Sequence, residues 1–252
     1  MSADPLHLVI VLAIFLFAGL IKGIVGLGLP ALAVGLLSLV MAPAQAVALL
    51  TMPSIITNIW QLAAGPHFAL LVKRLWVFLL ANFLATLAGL ATGFLAADHS
   101  GTALAAVGSA LILYGLLGLS PLHFTIPPRA EGWLSPVIGA ATGLVSSVTG
   151  VLSIPSVPYL EALGLRRDAL VQALGLSFSV TTLGLIIGLA SHGILRVQMA
   201  TLSLVSLAPA IAGMAAGQWL RSRIHPRLFR TIFLLGLIAL GLHLLLRTFR
   251  LV

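Results

Sequence analysis

Long apolar runs separated by short polar breaks make up most of this chain. The uncharged stretches 75–97 and 101–122 reach the roughly 18–20 residues that cross a hydrocarbon core as a helix. The eight apolar segments are 6–41, 45–65, 75–97, 101–120, 134–163, 168–191, 197–220 and 228–246. This pattern predicts an all-α membrane protein that passes through the bilayer many times.

Two of these segments, 6–41 and 134–163, are too long for one straight crossing, and each contains glycines followed by a proline. Glycine permits backbone turns that other residues resist, and proline suits the first turn of a new helix, where no N–H donor is needed. We therefore predict breaks near residues 26–30 and 150–155. Counting the short helices after the breaks, at about 31–41 and 156–163, the chain makes about ten passes.

The two halves of the chain carry the same features in the same order. Pro30 and Pro155 lie 125 residues apart, and GLATG at 89–93 is matched by GMAAG at 213–217. Small residues four apart are common in packed membrane helices, so their repeated order is the stronger signal. We predict an internal duplication with a first transmembrane repeat over 1–120, an inter-repeat loop over 121–133 and a second repeat over 134–252.

The basic residues between the segments predict how the chain is oriented. If both long segments cross once, six Lys and Arg loop residues fall on each face, and the positive-inside rule favours neither orientation. If both segments break and return, one face collects Lys73, Arg74, Arg129, Arg166, Arg167, Arg221, Arg223, Arg227 and Arg230, and the other keeps Arg196, Arg247 and Arg250. This asymmetry predicts broken segments, inverted-topology repeats, and both termini outside a bacterial-type inner membrane.

Composition narrows the functional classes. Only 7% of the residues are charged, far below the quarter or so that a soluble domain needs for its surface. The net charge of +8 comes from basic residues between apolar runs, which indicates cytoplasmic loops and not a surface for nucleic acid. The N-terminus lacks a basic region and a cleavage site, so we interpret it as a retained helix and not as a signal peptide.

The inventory of reactive side chains argues against an enzyme. No serine has a histidine or carboxylate at matching depth, and no metalloprotease or nucleotide-loop motif is present. There is no cysteine, the histidines lack ligand spacing, and all five acidic residues lie in loops or at segment ends. We therefore expect no metal site, no cofactor, and no buried carboxylate for a proton or a hard cation.

The two breaks favour a small anion. A half-helix that begins at a break offers unpaired N–H groups and a partial positive charge. Hydroxyls beside the second break suit the oxygens of an anion, although they suit the carbonyls of their own helix equally well. The candidate substrate-binding residues at the breaks are Gly26, Gly28, Pro30, Ser146, Ser147, Thr149, Gly150, Ser153 and Pro155.

Three further candidates lie on neighbouring helices. Asn58 and Gln61 share one face of segment 45–65, which should turn away from lipid because unpaired polar groups there are costly. Lys22 lies beside the first break. Two alternatives stay open: the amides bond neighbouring helices, and Lys22 extends to the cytoplasmic headgroups instead of an anion path.

The opening motif carries a family resemblance. GLIKGIVGLGLP at residues 19–30 resembles the hallmark of the TauE/SafE sulfite exporter family, and the stretch 139–155 resembles its second repeat. The duplicated layout matches over nearly the whole chain. One departure is Leu27 between two glycines, where the family often has consecutive glycines. The resemblance implies a transporter for sulfite, sulfoacetate or other sulfur-containing anions in the bacterial inner membrane.

The expected function is export of such an anion by alternating access. The alternatives are a non-catalytic membrane subunit or scaffold, and a permease for another small anion. The partners expected are the anion and the lipid bilayer, and a homo-oligomer is compatible with the sequence. If Thr149 binds the anion, Thr149→Val weakens transport about tenfold or more, because a hydrogen bond to a charged group contributes about 1.5–3 kcal/mol.

Overall fold

The structure is a computed structural model that describes residues 5–26, 29–63, 65–93, 95, 100–120, 125–195, 197–221, 223 and 226–250. Within these residues it is all-helical. The helices are α1 (Pro5–Val25), α2 (Leu29–Leu37), α3 (Pro43–Ala63), α4 (Phe68–Ala91), α5 (Ser100–Leu119), α6 (Pro128–Thr149), α7 (Ser156–Ala162), α8 (Arg167–Ser191), α9 (Val197–Arg221) and α10 (Pro226–Arg250).

Seven helices of the described chain are long and apolar enough to cross a membrane: α1, α3, α4, α5, α8, α9 and α10. α8 and α3 are the two most buried of them, and they form the centre. The outer helices present large apolar side chains such as Leu70, Leu204 and Phe249 at the surface, where a bilayer would cover them. The chain is therefore a multi-pass helical membrane protein.

Both long segments of the sequence are divided between two helices. α1 ends at Val25 and α2 begins at Leu29, so Pro30 lies in the first turn of α2. α6 ends at Thr149, and Pro155 directly precedes α7. Gly26 and Gly150 have φ angles of 84° and 69°, a region that side-chain-bearing residues rarely adopt, so glycine is what lets both helices end there.

The packing of helices between the two halves of the chain is symmetric. α1 packs on α9 and α4 packs on α6, while α3 packs on α8 and α5 on α10. If each helix of α1–α5 is exchanged with its counterpart in α6–α10, this set of pairs is unchanged. Glycines make the first two pairs close: a side chain at Gly217 would overlap the carbonyl oxygen of Leu20, and one at Gly143 would overlap that of Asn82.

Residue contacts give the relative directions of the packed helices. α3 and α8 run antiparallel, because Gly175 lies against Asn58 while Ser54 contacts Thr182, further along α8. α5 and α10 are antiparallel in the same way. α4 and α8 run in the same direction, since Asn82 donates to Thr181 at 2.8 Å and Gly188, further along, lies against Leu90.

Candidate functional site

Lys22 is the most deeply buried basic side chain in the described chain, with 2% of its surface exposed. It lies in the last turn of α1. Its Nζ donates to Thr57 Oγ1 at 2.9 Å and to Asn58 Oδ1 at 2.6 Å. Both partners are neutral, so within the described residues no carboxylate contacts this ammonium group. The hydrogen bonds tie it to α3, which excludes an extended, headgroup-facing side chain in this structure.

Thr57 and Asn58 on the polar face of α3 can accept from Lys22 because their own N–H and O–H groups donate to other atoms of α3. Thr57 Oγ1 donates to the Pro53 carbonyl at 2.6 Å, and Asn58 Nδ2 donates to Ser54 Oγ at 3.3 Å. Each oxygen that faces Lys22 therefore has a lone pair free to accept. One turn further on, Gln61 Nε2 donates to the Gly26 carbonyl at 2.8 Å, which fixes the first break to α3. Lys22, Gly26, Asn58 and Gln61 thus form one cluster.

A cavity of about 240 Å³ borders this cluster. Three basic residues and one acidic residue line it, so positive charge is in excess. The lining residues are Lys22, Gly23, Gly26, Trp60, Gln61, Arg167, Asp168, Val171, Met214, Gln218 and Arg221. The cavity has room for a small oxyanion together with some of its hydration water, since a water molecule occupies about 30 Å³.

A smaller cavity of about 140 Å³ adjoins the first and shares Gly26, Arg167, Val171 and Arg221 with it. It adds Arg230 and Glu161, which form an ion pair at 3.4 Å. The shared residues make the two cavities one continuous recess from the ends of α8 and α9 to the first break. Basic residues outnumber acidic ones in the lining of both cavities.

The second break is arranged differently. The hydroxyls of Ser146, Ser147 and Thr149 donate to carbonyl oxygens of their own segment, those of Val151, Leu144 and Val145. Thr149 Oγ1 also accepts from the Val151 N–H at 3.1 Å. The hydroxyls thus bond carbonyls of their own segment, which is the alternative to anion binding that the sequence left open. They hold the turn between α6 and α7 in place.

The remaining residues of the second break are enclosed. Ser153 Oγ is buried beside the Tyr114 hydroxyl without a hydrogen bond of standard geometry. A side chain at Gly150 would overlap Val47 and press against Val34. Neither cavity includes Ser146, Ser147, Thr149, Gly150, Ser153 or Pro155. Of the first group, Lys22, Gly26 and Gln61 line a cavity and Asn58 binds Lys22 beside it, while Pro30 lines neither cavity. The second group is packed, and Gly28 lies outside the described residues.

Four polar residues that line the larger cavity were not site candidates from the sequence: Arg167, Asp168, Gln218 and Arg221. Arg167 and Arg221 stand at segment ends, where the positive-inside rule already explains a basic residue. Nothing in the spacing separates a cavity arginine from a loop arginine. Gln172, by contrast, has a structural role: it accepts from the His67 N–H and donates to the carbonyls of Leu62 and Gly65.

These features define the class of protein: a multi-pass helical membrane protein with a recess lined by basic side chains that leads to a buried lysine. Within the described part of the chain, no three His, Asp or Glu side chains gather to hold a metal ion. The chain matches the family described as Sulfite exporter TauE/SafE over residues 11–244, and it belongs to that family. The family is one of membrane transporters for sulfur-containing anions. No curated protein and no solved structure matches the chain.

Proposed function

We propose that this protein exports a small sulfur-containing anion, such as sulfite or an organosulfonate, across the bacterial inner membrane. The observation that carries the proposal is Lys22: a buried ammonium group with only neutral partners, at the inner end of a recess with excess positive charge. A buried charge without a counter-ion is costly, and such residues inside membranes usually serve the transported ion. A negative substrate would supply the missing counter-charge.

In this proposal the anion binds between Lys22 and the first turn of α2. That turn has N–H groups without helical partners and the positive end of a nine-residue helix. Gln61 positions the break through the Gly26 carbonyl. The second break is packed and lines neither cavity in this structure, and in this proposal alternating access opens it in turn. Export needs no coupling ion, because expelling one negative charge gains about 2.3 kcal/mol per 100 mV of inside-negative potential.

The helix directions support inverted repeats over 1–120 and 134–252, joined by 121–133. With eight single crossings, α4 as the third and α8 as the sixth would run in opposite directions. They run in the same direction, as they should if each long segment breaks and returns. Equivalent helices of the two halves, α3 with α8 and α5 with α10, are antiparallel, which is the relation that inversion requires.

Contacts at the ends of the long segments support the same arrangement. The Ile126 N–H, before α6, donates to the Ala162 carbonyl, at the end of α7, at 3.0 Å. A segment whose two ends touch begins and finishes at the same face. In the first half, Arg247 near the end of α10 donates to the Leu39 carbonyl at 2.6 Å. Because Arg230 lies near the start of the same helix, this contact supports an end of the first segment at the face opposite Arg230.

We predict that single cysteines at Arg129 and His192 are labelled from opposite sides of the membrane, with Arg129 cytoplasmic. The chain contains no cysteine, so each variant carries one reactive thiol. A membrane-impermeant maleimide applied to intact cells should label only the cysteine at 192, while permeabilised cells should label both. Labelling of both from outside would match eight single crossings and would refute the inverted arrangement.

We also predict that Thr149→Val slows transport chiefly by destabilising the turn after α6. The change leaves the buried Val151 N–H without its acceptor, at a cost of about 1–3 kcal/mol. Thr149→Ser retains the acceptor and is the matched control. Flux and Tm should fall together in the valine variant and stay near wild type in the serine variant. A fall in flux with an unchanged Tm would instead indicate direct contact with the anion.

Flux of [35S]sulfite and of sulfoacetate in proteoliposomes tests the proposed function directly. An imposed membrane potential should drive net movement of either anion, and protein-free liposomes supply the baseline. Lack of movement of both anions would favour the second candidate, a non-catalytic membrane subunit. Movement of chloride or phosphate instead would favour a permease for another anion.

A further inference from the structure

We propose that Arg167 and Arg221 form a second anion-binding site at the mouth of the recess, which captures the substrate before it reaches Lys22. This inference deepens the proposed function and rests on it. Arg167 opens α8 and Arg221 closes α9, so two separate elements bring these guanidinium groups to the same space. Both line the two adjoining cavities, and the buried Lys22 lines only the larger one.

The state of the arginines points to an anionic ligand. Apart from Asp168, the carboxylates of the described residues already have basic partners: Glu131 pairs with Arg74 at 2.7 Å and Glu161 pairs with Arg230 at 3.4 Å. Arg167 and Arg221 form no ion pair in that part of the chain. Arginine binds an oxyanion in a bidentate way that matches its planar fork of N–H donors. The guanidinium groups of Arg167 and Arg221, which pair with no described carboxylate, therefore form the proposed anion-binding site at the mouth of the recess.

Asp168 reduces the affinity of this site for an anion. Its carboxylate lines the larger cavity beside Arg167 without an ion pair to a described residue. It lowers the positive charge of the mouth without cancelling it. An anion therefore gains from entering, while the mouth holds it less tightly than two unopposed cations would. A capture site on a transport path needs this property, because tight binding would slow release toward Lys22.

The structural alternative is that these arginines only orient the protein through the positive-inside rule or bind lipid headgroups. Arg166 provides a matched control. It adjoins Arg167 in sequence and carries the same charge at the same face, but it lines neither cavity. Arg166→Gln and Arg167→Gln therefore change net charge equally and differ in the loss of a cavity guanidinium.

The test is the KM and maximal rate of [35S]sulfite uptake in phosphatidylcholine proteoliposomes. Arg167→Gln and Arg221→Gln should each raise KM about two- to fivefold, the range expected for exposed ion pairs of about 0.4–1 kcal/mol, with the maximal rate near wild type. The double variant should raise it further and weaken the salt dependence of KM. Arg166→Gln should leave KM unchanged. Equal KM values in all four variants would overturn the capture site.

Two further measurements separate the remaining outcomes. An effect that appears only when anionic lipid is added would assign the arginines to headgroups and would overturn the proposal. Sulfite-induced stabilisation of the detergent-purified protein reports binding without transport. If wild type moves no sulfite but sulfite raises its Tm, and Arg167→Gln and Arg221→Gln shift that rise to higher concentration, the capture site stands and the proposed transport fails. No effect of sulfite on flux or Tm would reject both.

Discussion

Transport should fall at least tenfold when Lys22 is replaced by methionine, with no loss of thermal stability. Methionine has a similar length but no charge and no donor, so the anion would lose its buried counter-charge. A hydrogen bond to a charged group contributes about 1.5–3 kcal/mol, which corresponds to roughly a ten- to hundredfold loss of rate. The ammonium group has only neutral partners in the structure, Thr57 and Asn58, so its removal eliminates an unpaired buried charge. Stability should therefore be unchanged or higher.

This combination distinguishes a functional lysine from a structural one. A lysine that only joined α1 to α3 would lower Tm when replaced, and flux would fall in proportion to the folded protein that remained. Initial rates of sulfite uptake per folded molecule, together with Tm, separate the two cases. Lys22→Arg keeps the charge and should retain more flux than Lys22→Met. Near wild-type flux in the methionine variant would show that the anion path does not use Lys22.

The helix boundaries at the two breaks were predictable because they depend on local chemistry. Gly26 and Gly150 adopt positive φ angles that glycine tolerates best, and a proline follows each within the next few residues. The positions of glycine and proline that allow a helix to end and another to begin can be read directly from the sequence. The coarse fold was predictable for the same reason: charge-free stretches of sufficient length have few uses other than crossing a membrane. The inverted order of the repeats is still a proposal, which rests on the charge asymmetry and on the helix directions.

The site was only partly predictable because its contacts join distant parts of the chain. The spacing of Asn58 and Gln61 placed them on one face, but nothing in the sequence pairs Asn58 with Lys22, 36 residues away. From sequence alone, the hydroxyls near Gly150 are compatible both with ligand binding and with bonding to their own helix. A serine or threonine in a helix reaches a carbonyl of the preceding turn as readily as it reaches a ligand, and composition is identical in both cases. Only the three-dimensional structure shows that the Ser147 and Thr149 hydroxyls donate to carbonyls of their own segment.

Two of the interfaces between the halves, α1–α9 and α4–α6, should fail in parallel when their glycines are enlarged. Gly217→Val would drive a side chain into the Leu20 carbonyl between α9 and α1, and Gly143→Val would do the same at Asn82 between α6 and α4. A backbone carbonyl inside a helix cannot rotate away as a side chain would, so the helices must separate. Overpacking of a core costs about 1–3 kcal/mol, and contact with backbone should place these variants at or above the upper end.

Gly236→Val is the matched control, because it makes the same change inside a helix of similar length at a position with nothing within 4 Å. We expect Gly236→Val to give a monodisperse peak in size-exclusion chromatography and a Tm near wild type, while the other two give mostly aggregate. Parallel failure is expected from equivalence as well as from sterics, because the α1–α9 and α4–α6 contacts exchange when the halves are exchanged. If Gly217→Val aggregates while Gly143→Val folds like the control, the α4–α6 contact is looser than the structure has it, and the two repeats do not share one packing scheme.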